Sequence, residues 1–361
     1  MVINTEAEYI LKELALNSNK MKKIPYIIFM IGMMMSSCQN QDWEFPNFDY
    51  QTVYFAYQYP VRTITFGEDI FDTSLDNEGK FRLMVTTGGV YSSPRDVSVQ
   101  IEVDESIAEG LLFEEGGDEI EVLSSEYYQL SSNTVTIPRG QIAGGVEVQL
   151  TGAFFNDPRA IKKTFVLPVK ITNVINADSI LSGIPIVQNP RRAVADDWFP
   201  APKDFTLYAV KYINDWHGFY LRRGRDVVTA KVDGINSGTI TRRQNNVEND
   251  QVNQLFTESR SQVLFPVVFS GVGGQNITAE LLLTFSSDGS CTVSASNSGF
   301  TASGSGKFVK KGEKSSWGNQ DRDAIYLQYE IDLPELRVAT TDTLVARNRG
   351  VVMETFSPVL K

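Results

Sequence analysis

From about residue 47 onward, apolar and polar residues alternate in short runs with the two-residue period of half-buried strands. Val97-Ser98-Val99-Gln100-Ile101-Glu102-Val103 shows the pattern most cleanly, with every second side chain apolar. Similar runs start at Thr52, Phe81, Thr134 and Val146, and another spans Phe165–Ile171. Gly88-Gly89 and Pro138-Arg139-Gly140 punctuate them as turns. About seven such strands with turns between them predict an immunoglobulin-like β-sandwich over 47–175. The prolines at 185, 190, 200 and 202 then break the rhythm, so 176–203 is read as a linker. Strand patterns resume over 204–361, starting with Phe205–Ile213. Ser287-Asp288-Gly289 marks a hairpin between two apolar runs. The second half therefore predicts an antiparallel barrel, lipocalin-like, or a second sandwich. The fold class is all-β throughout.

The first 46 residues follow another pattern. Met21-Lys22-Lys23 is a basic start, Ile24–Met35 is apolar, and Met35-Ser36-Ser37-Cys38 ends the run. Twelve apolar residues are too few to span a bilayer and fit an export signal. Small residues ahead of a cysteine resemble the lipoprotein signal-peptidase box. Residues 21–37 are thus expected to be a signal peptide, Cys38 the lipidated residue and 38–46 a tether. Residues 1–20 have no place ahead of such a signal, so translation is expected to start at Met21. The other cysteine, Cys291, lies in a strand pattern and reads as a small core residue.

Hydrophobic residues make up 42% of the chain and charged ones 21%, which excludes disorder throughout. The formal charge of −11 is uneven. Residues 41–190 hold 22 acidic and 9 basic side chains, whereas 191–361 hold 19 and 20. Neither half offers the basic, aromatic-interleaved face that a nucleic acid needs.

Two sets of residues carry a resemblance. Tyr127-Tyr128-Gln129-Leu130, Val135–Gly140 and Phe165–Thr172 are similar to a recurrent Bacteroidetes domain. That domain stands at the front of surface lipoproteins and of some family 18 endoglycosidases. Asn214–Gly224, Gly304–Phe308, Trp317-Gly318 and Arg322–Leu327 resemble the C-terminal domain that follows such sandwiches. The resemblance implies a surface protein in a polysaccharide-utilisation setting, working beside a TonB-dependent transporter and its lid lipoprotein. It implies an outer-membrane location held by the lipid alone, and it does not imply a ligand.

Residues able to carry chemistry are few. His217 is the only histidine, which excludes a histidine metal cluster and leaves a serine triad without its usual Gly-x-Ser-x-Gly elbow. Asp196-Asp197 and Asp321/Asp323 are acidic pairs, but the clustered acids of family 18 catalysis and the eightfold βα alternation are absent. The acid-rich loop Glu68–Gly79 lacks EF-hand spacing and is read as solvated, so no cofactor or calcium ion is expected. Aromatic faces near turns can stack on sugar rings. Trp198 and Trp317 are the leading candidates and are expected to share a shallow surface on the C-terminal domain. Trp216, Tyr220 and His217 follow, with Trp216 and Tyr220 expected to plug the barrel end. Asp178-Ser179-Ile180 and Asp342-Thr343-Leu344 resemble a Bacteroidetes O-glycosylation sequon, so Ser179 and, less so, Thr343 are modification candidates. The expected function is non-catalytic binding of a glycan by a surface lipoprotein. A structural or adhesive, fimbria-like role is the second reading and a glycan hydrolase the third.

Overall fold

The computed structural model describes residues 48–361. Cys38, the signal segment and the tether lie outside the described residues. Among those described, no helix is long and apolar enough to cross a membrane. The chain forms a sandwich and a closed barrel, as the alternating pattern predicts.

The sandwich faces a five-stranded sheet against a larger one. The first runs Ser179–Ile180, Thr52–Tyr54, Lys80–Gly88, Ala143–Leu150 and Tyr128–Leu130 in spatial order. The second runs Glu354–Thr355, Pro60–Thr65, Phe205–Ile213, Phe165–Ile175, Val97–Val103 and Thr134–Ile137. Val53, Leu83, Val85, Val99, Val148 and Leu167 are fully buried between them. A second, smaller core covers the back of the larger sheet. There Val166, Leu207 and Ala209 pack under Leu111, Phe113, Ala193 and Phe356. The two central strands are therefore buried on both faces, which is why they read as nearly unbroken apolar runs.

This placement corrects the domain map. Phe205–Ile213, expected to open the C-terminal domain, pairs with Phe165–Lys170 on one edge and Val61–Thr65 on the other. The chain end also returns: Glu354–Thr355 pairs with Pro60–Val61, and Val359–Leu360 pairs with Leu111–Leu112. The proline-rich 181–203 stretch lies along the sandwich edge through Leu181 N to Val53 O (3.1 Å) and Phe55 N to Lys203 O (2.8 Å). Its prolines punctuate a paired ribbon in which Pro185 bridges Trp198. The barrel is thus inserted between two strands of the sandwich.

Eight antiparallel strands form that barrel, from Gly218–Ala230 to Leu336–Asn348, and these two pair along twelve positions to close it. The Gly238–Arg242 strand adds outside, on the edge of the first. The expected hairpin joins Asn276–Phe285 to Ser290–Ala295 across Asp288-Gly289. Phe265, Leu281, Leu283, Ile325 and Leu344 fill the interior, which is a packed core. Cys291 lies in it, and burial pushes its thiol up to about 12. One polar network interrupts this core: Arg222 and Asp342 pair at 2.9 Å with side-chain exposures of 2% and 0%.

Candidate functional site

The chain passes from sandwich to barrel at Asn214–Gly218 and returns at Arg349, so both crossings meet at one end of the barrel. Asn214, fully buried, organises the first. Its Nδ2 donates to Ser259 O and Gln262 O, both at 2.8 Å, and its Oδ1 accepts from the backbone N–H of Trp216 and His217 at 3.1 Å. Gly218 follows with φ +141°, and a Cβ there would lie 2.6 Å from Asn348 O, so only glycine lets the two crossings touch. Arg349 ties them together. Its Nε donates to His217 O (2.7 Å), Nη1 to Phe66 O (3.0 Å) and Glu68 O (3.3 Å), and Nη2 to Asn214 O. Its direct hydrogen bonds all go to carbonyls, and burial holds its pKa below the usual guanidinium value, although Asp69, Asp215 and Asp323 act on it through charge.

Above this junction lies a cleft of about 660 Å³. One wall is the Glu68–Phe71 loop of the sandwich, where Ile70 is fully exposed (101%) and Phe71 39% exposed. The floor is His217, Phe219 and Tyr220. The opposite wall comes from Lys311 near the end of the Thr301–Glu313 strand, from Gln320–Asp323 at the start of the Arg322–Asp332 strand, and from Ala346–Val352. The cleft combines apolar rings with planar amide, carboxylate and guanidinium groups, as polar-ligand sites do.

Its carboxylates are each engaged. Glu68 accepts from Lys310 Nζ (2.8 Å) and Asp321 from Lys314 Nζ (2.9 Å), and these bonds hold both carboxyls below their ordinary pKa. Asp323 accepts from the backbone N–H of Lys311 (2.7 Å) and Asp69 from that of Ile70 (2.6 Å). His217 is neutral: burial brings its imidazole down to about 4, helped by Arg349 and Lys211. Its Nδ1 accepts from Thr257 N at 3.1 Å, so Nε2 carries the proton. Among the described residues no group of three or more His, Cys, Asp or Glu is placed to hold a metal ion. Other acids of the Glu68–Gly79 loop are likewise engaged within the protein. Asp76 is buried against Arg62 and Thr65 N, and Asp72 accepts from Ser74 N.

The predicted ligand residues separate. His217 and Tyr220 line the cleft. Tyr220 is nevertheless buried, and its hydroxyl donates to Trp216 O (3.0 Å). Trp216 stacks flat on Phe285 (4.1 Å, 8°) with Phe308 at its edge, inside the barrel end. Trp317 flanks the cleft without lining it. Its Nε1 donates to Ala346 O (3.0 Å), and the Arg322 guanidinium covers its ring at 3.5 Å. Trp198 is elsewhere: it packs in the ribbon on the sandwich, donating to Arg191 O (2.9 Å) beneath Arg192. The expected shared surface of Trp198 and Trp317 on the C-terminal domain is therefore corrected. Each indole, read as exposed from its polar, turn-like surroundings, carries an arginine over its ring. Ser179 sits in a short edge strand, half-buried, and Thr343 within the last barrel strand, paired with Tyr326. The pattern of the chain did not single out Phe71, Phe219, Lys311, Arg347, Asn348 or Arg349. The acid-rich loop and the Arg322–Asp323 stretch were the nearest signals.

Comparison with known proteins adds the family. Residues 215–350 match the model of a domain of unknown function (DUF5627), and residues 48–178 match the model of an N-terminal domain. Among solved structures, the chain is similar to a structural-genomics protein of unknown function from Bacteroides ovatus. Identity is 45%, covering 87% of this chain and 100% of that one, with a TM-score of 0.82. Two further B. ovatus structures are each 13% identical. One, of unknown function, covers 85% of this chain and 99% of its own (TM-score 0.38), and a multidomain protein including DUF1735 covers 84% and 97% (TM-score 0.39). The search of curated proteins gave no match.

Proposed function

We propose a function from the premise that this chain belongs to the same family as the Bacteroides ovatus protein it matches over that protein's whole length. The protein is a non-catalytic carbohydrate-binding accessory, and the junction cleft is its binding site. The observation that carries this reading is the lining. Phe71 and Phe219 offer ring surface at a 660 Å³ cleft whose rim holds Gln320, Arg347 and Asn348. Rings that stack on sugar C–H faces, beside planar groups that read hydroxyls, are what saccharide recognition requires. Lipidation at Cys38, an outer-surface location and service to a TonB-dependent transporter belong to the same proposal.

The lining carboxylates favour binding over hydrolysis. A glycosidase general acid needs a raised pKa, whereas Lys310 and Lys314 push Glu68 and Asp321 the other way. A structural or adhesive role draws on a different place, the ribbon whose Ile184, Ile186 and Phe199 are exposed. Self-association abolished by Phe199→Ser would favour that role.

A glycan array probed with the purified protein tests the first reading, followed by titration calorimetry. Phe71→Ala should weaken a captured glycan by about 1–2 kcal/mol while stability changes by less than about 0.5 kcal/mol. An empty array, or a captured glycan indifferent to both Phe71→Ala and Asn348→Ala, overturns it.

A further inference from the structure

The ion pairs around the cleft leave an imbalance. Of its four lining carboxylates, two are neutralised by Lys310 and Lys314 and two are spent on backbone N–H groups. Its lining cations are also four: Lys311, Arg322, Arg347 and Arg349. The lining therefore holds four cations and four anions, and lysines from outside it already engage two of the anions. Arg322 is committed to the Trp317 ring and Arg349 to four carbonyls. Lys311 and Arg347 are exposed, and among the described residues neither side chain forms an ion pair.

The backbone at Lys311 adds an independent observation. The residue sits at φ +51°, in the left-handed region that a lysine rarely adopts, where the pairing of the Thr301–Glu313 strand with Arg322–Asp332 is interrupted between Val309 and Glu313. Asp323 Oδ1 pins its N–H at 2.7 Å. Gly312, the next residue, could have taken that conformation without strain. Outliers of this kind persist where the surroundings hold them, and they gather at ligand sites.

We infer that the cleft selects an acidic saccharide, with Lys311 and Arg347 receiving its carboxylate or sulfate group; this rests on the carbohydrate-binding reading above. Arg347 offers the planar fork that matches either oxyanion, and Lys311 offers a point charge. An acidic ligand would use the two exposed cations that form no ion pair among the described residues, where a neutral sugar would need only hydrogen-bonding groups.

The test is titration of the full chain with tetragalacturonate, a chondroitin sulfate tetrasaccharide and neutral galactotetraose at low and high salt. At least one acidic probe should bind about tenfold or more tighter than the neutral one, and the advantage should shrink with added salt. K311Q/R347Q should erase that advantage, and melting curves should show the fold intact. The two acidic arms distinguish carboxylate from sulfate as the recognised group. Neutral binding that matches acidic binding and falls with Phe71→Ala overturns this inference while leaving the cleft a saccharide site. Acidic preference that survives K311Q/R347Q also overturns it. No binding by any of the three, with an empty array, removes both readings.

Discussion

Replacing Asp342 by Asn tests the polar network inside the barrel. Asp342 Oδ2 accepts from Arg222 Nε (2.9 Å) and from the Tyr329 hydroxyl (2.8 Å). Its Oδ1 lies 2.8 Å from Arg242 Nη2, a charge contact without hydrogen-bond alignment. Arg222 also donates to Tyr329 Oη (3.1 Å) and lies over the Phe265 ring. An amide keeps the shape and removes the charge, leaving Arg222 buried without its paired anion. That situation costs about 3–5 kcal/mol, because a desolvated charge loses its compensation. The melting temperature should fall by roughly 6–20 °C at about 2–4 °C per kcal/mol. The decisive control is the triple variant Arg222→Met, Tyr329→Phe, Asp342→Leu. It removes the three hydrogen-bonded members of the network, while Arg242 loses its contact with Asp342 and keeps its bidentate pair with Asp226 (2.8 and 2.7 Å). If uncompensated charge is the cause, the triple variant should regain most of the loss. Thermal and urea unfolding of all three proteins measures it. A loss below about 1 kcal/mol for Asp342→Asn, or a triple variant no more stable than the single one, refutes the reasoning.

Other consequences are simpler. His217 has a folded pKa of about 4 against 6.5 when exposed, so the unfolded chain takes up its proton first as pH falls. Its contribution is complete above pH 6.5 and is lost on acidification towards 4, by roughly 3 kcal/mol. Urea titrations across that window should show a slope that His217→Gln flattens, and an unchanged slope would contradict the assignment. Trp216→Ala removes the ring stacked on Phe285 and should cost about 3–5 kcal/mol in a thermal melt. Gly304→Ala would put a Cβ 2.4 Å from Gln328 O and from Tyr329 Cβ, where two barrel strands nearly touch, and should destabilise by about 1–3 kcal/mol by the same measurement. Trp198→Ala should leave saccharide titrations unchanged, since the indole lies on the sandwich ribbon and outside the cleft.

The strand periodicity carried most of the architecture, because nearly every strand has one face on a core and one in solvent. Val97–Val103 alternates as clearly in burial as in sequence. The domain boundary was less legible for a physical reason. Phe205–Ile213 is buried on both faces, so its apolar run has no period that names its sheet. Short strands such as Glu354–Thr355 are too brief to show any pattern, although they bring the chain end back to the sandwich. Prolines 185 and 200 looked like a linker because proline interrupts strands, and here it interrupts a surface ribbon instead.

The cleft was hidden for a related reason. Its walls come from residues 68–71, 217–220, 311–323 and 346–352, which become neighbours only because the barrel leaves and re-enters the sandwich at one point. No local period or motif records that. Two arginines cover the indoles that their polar surroundings made look open. Arg192 and Arg322 lie on Trp198 and Trp317, so polar sequence around an indole signalled stacking partners within the protein rather than an open face. Arg349 shows the opposite relation. Arg349, in a stretch with no pattern, holds two carbonyls of the first crossing and two of the sandwich loop at Phe66–Glu68, and thereby sets the floor of the cleft. A ligand seated there would touch loops from both bodies, so its affinity should depend on the junction as much as on the rings. Arg349→Met, which keeps the apolar stem and removes every one of those hydrogen bonds, should therefore weaken saccharide binding even though the arginine's own donors are already occupied. Calorimetry showing parental affinity in that variant, with its melting temperature lowered, would mean that the cleft walls hold their shape without the tie.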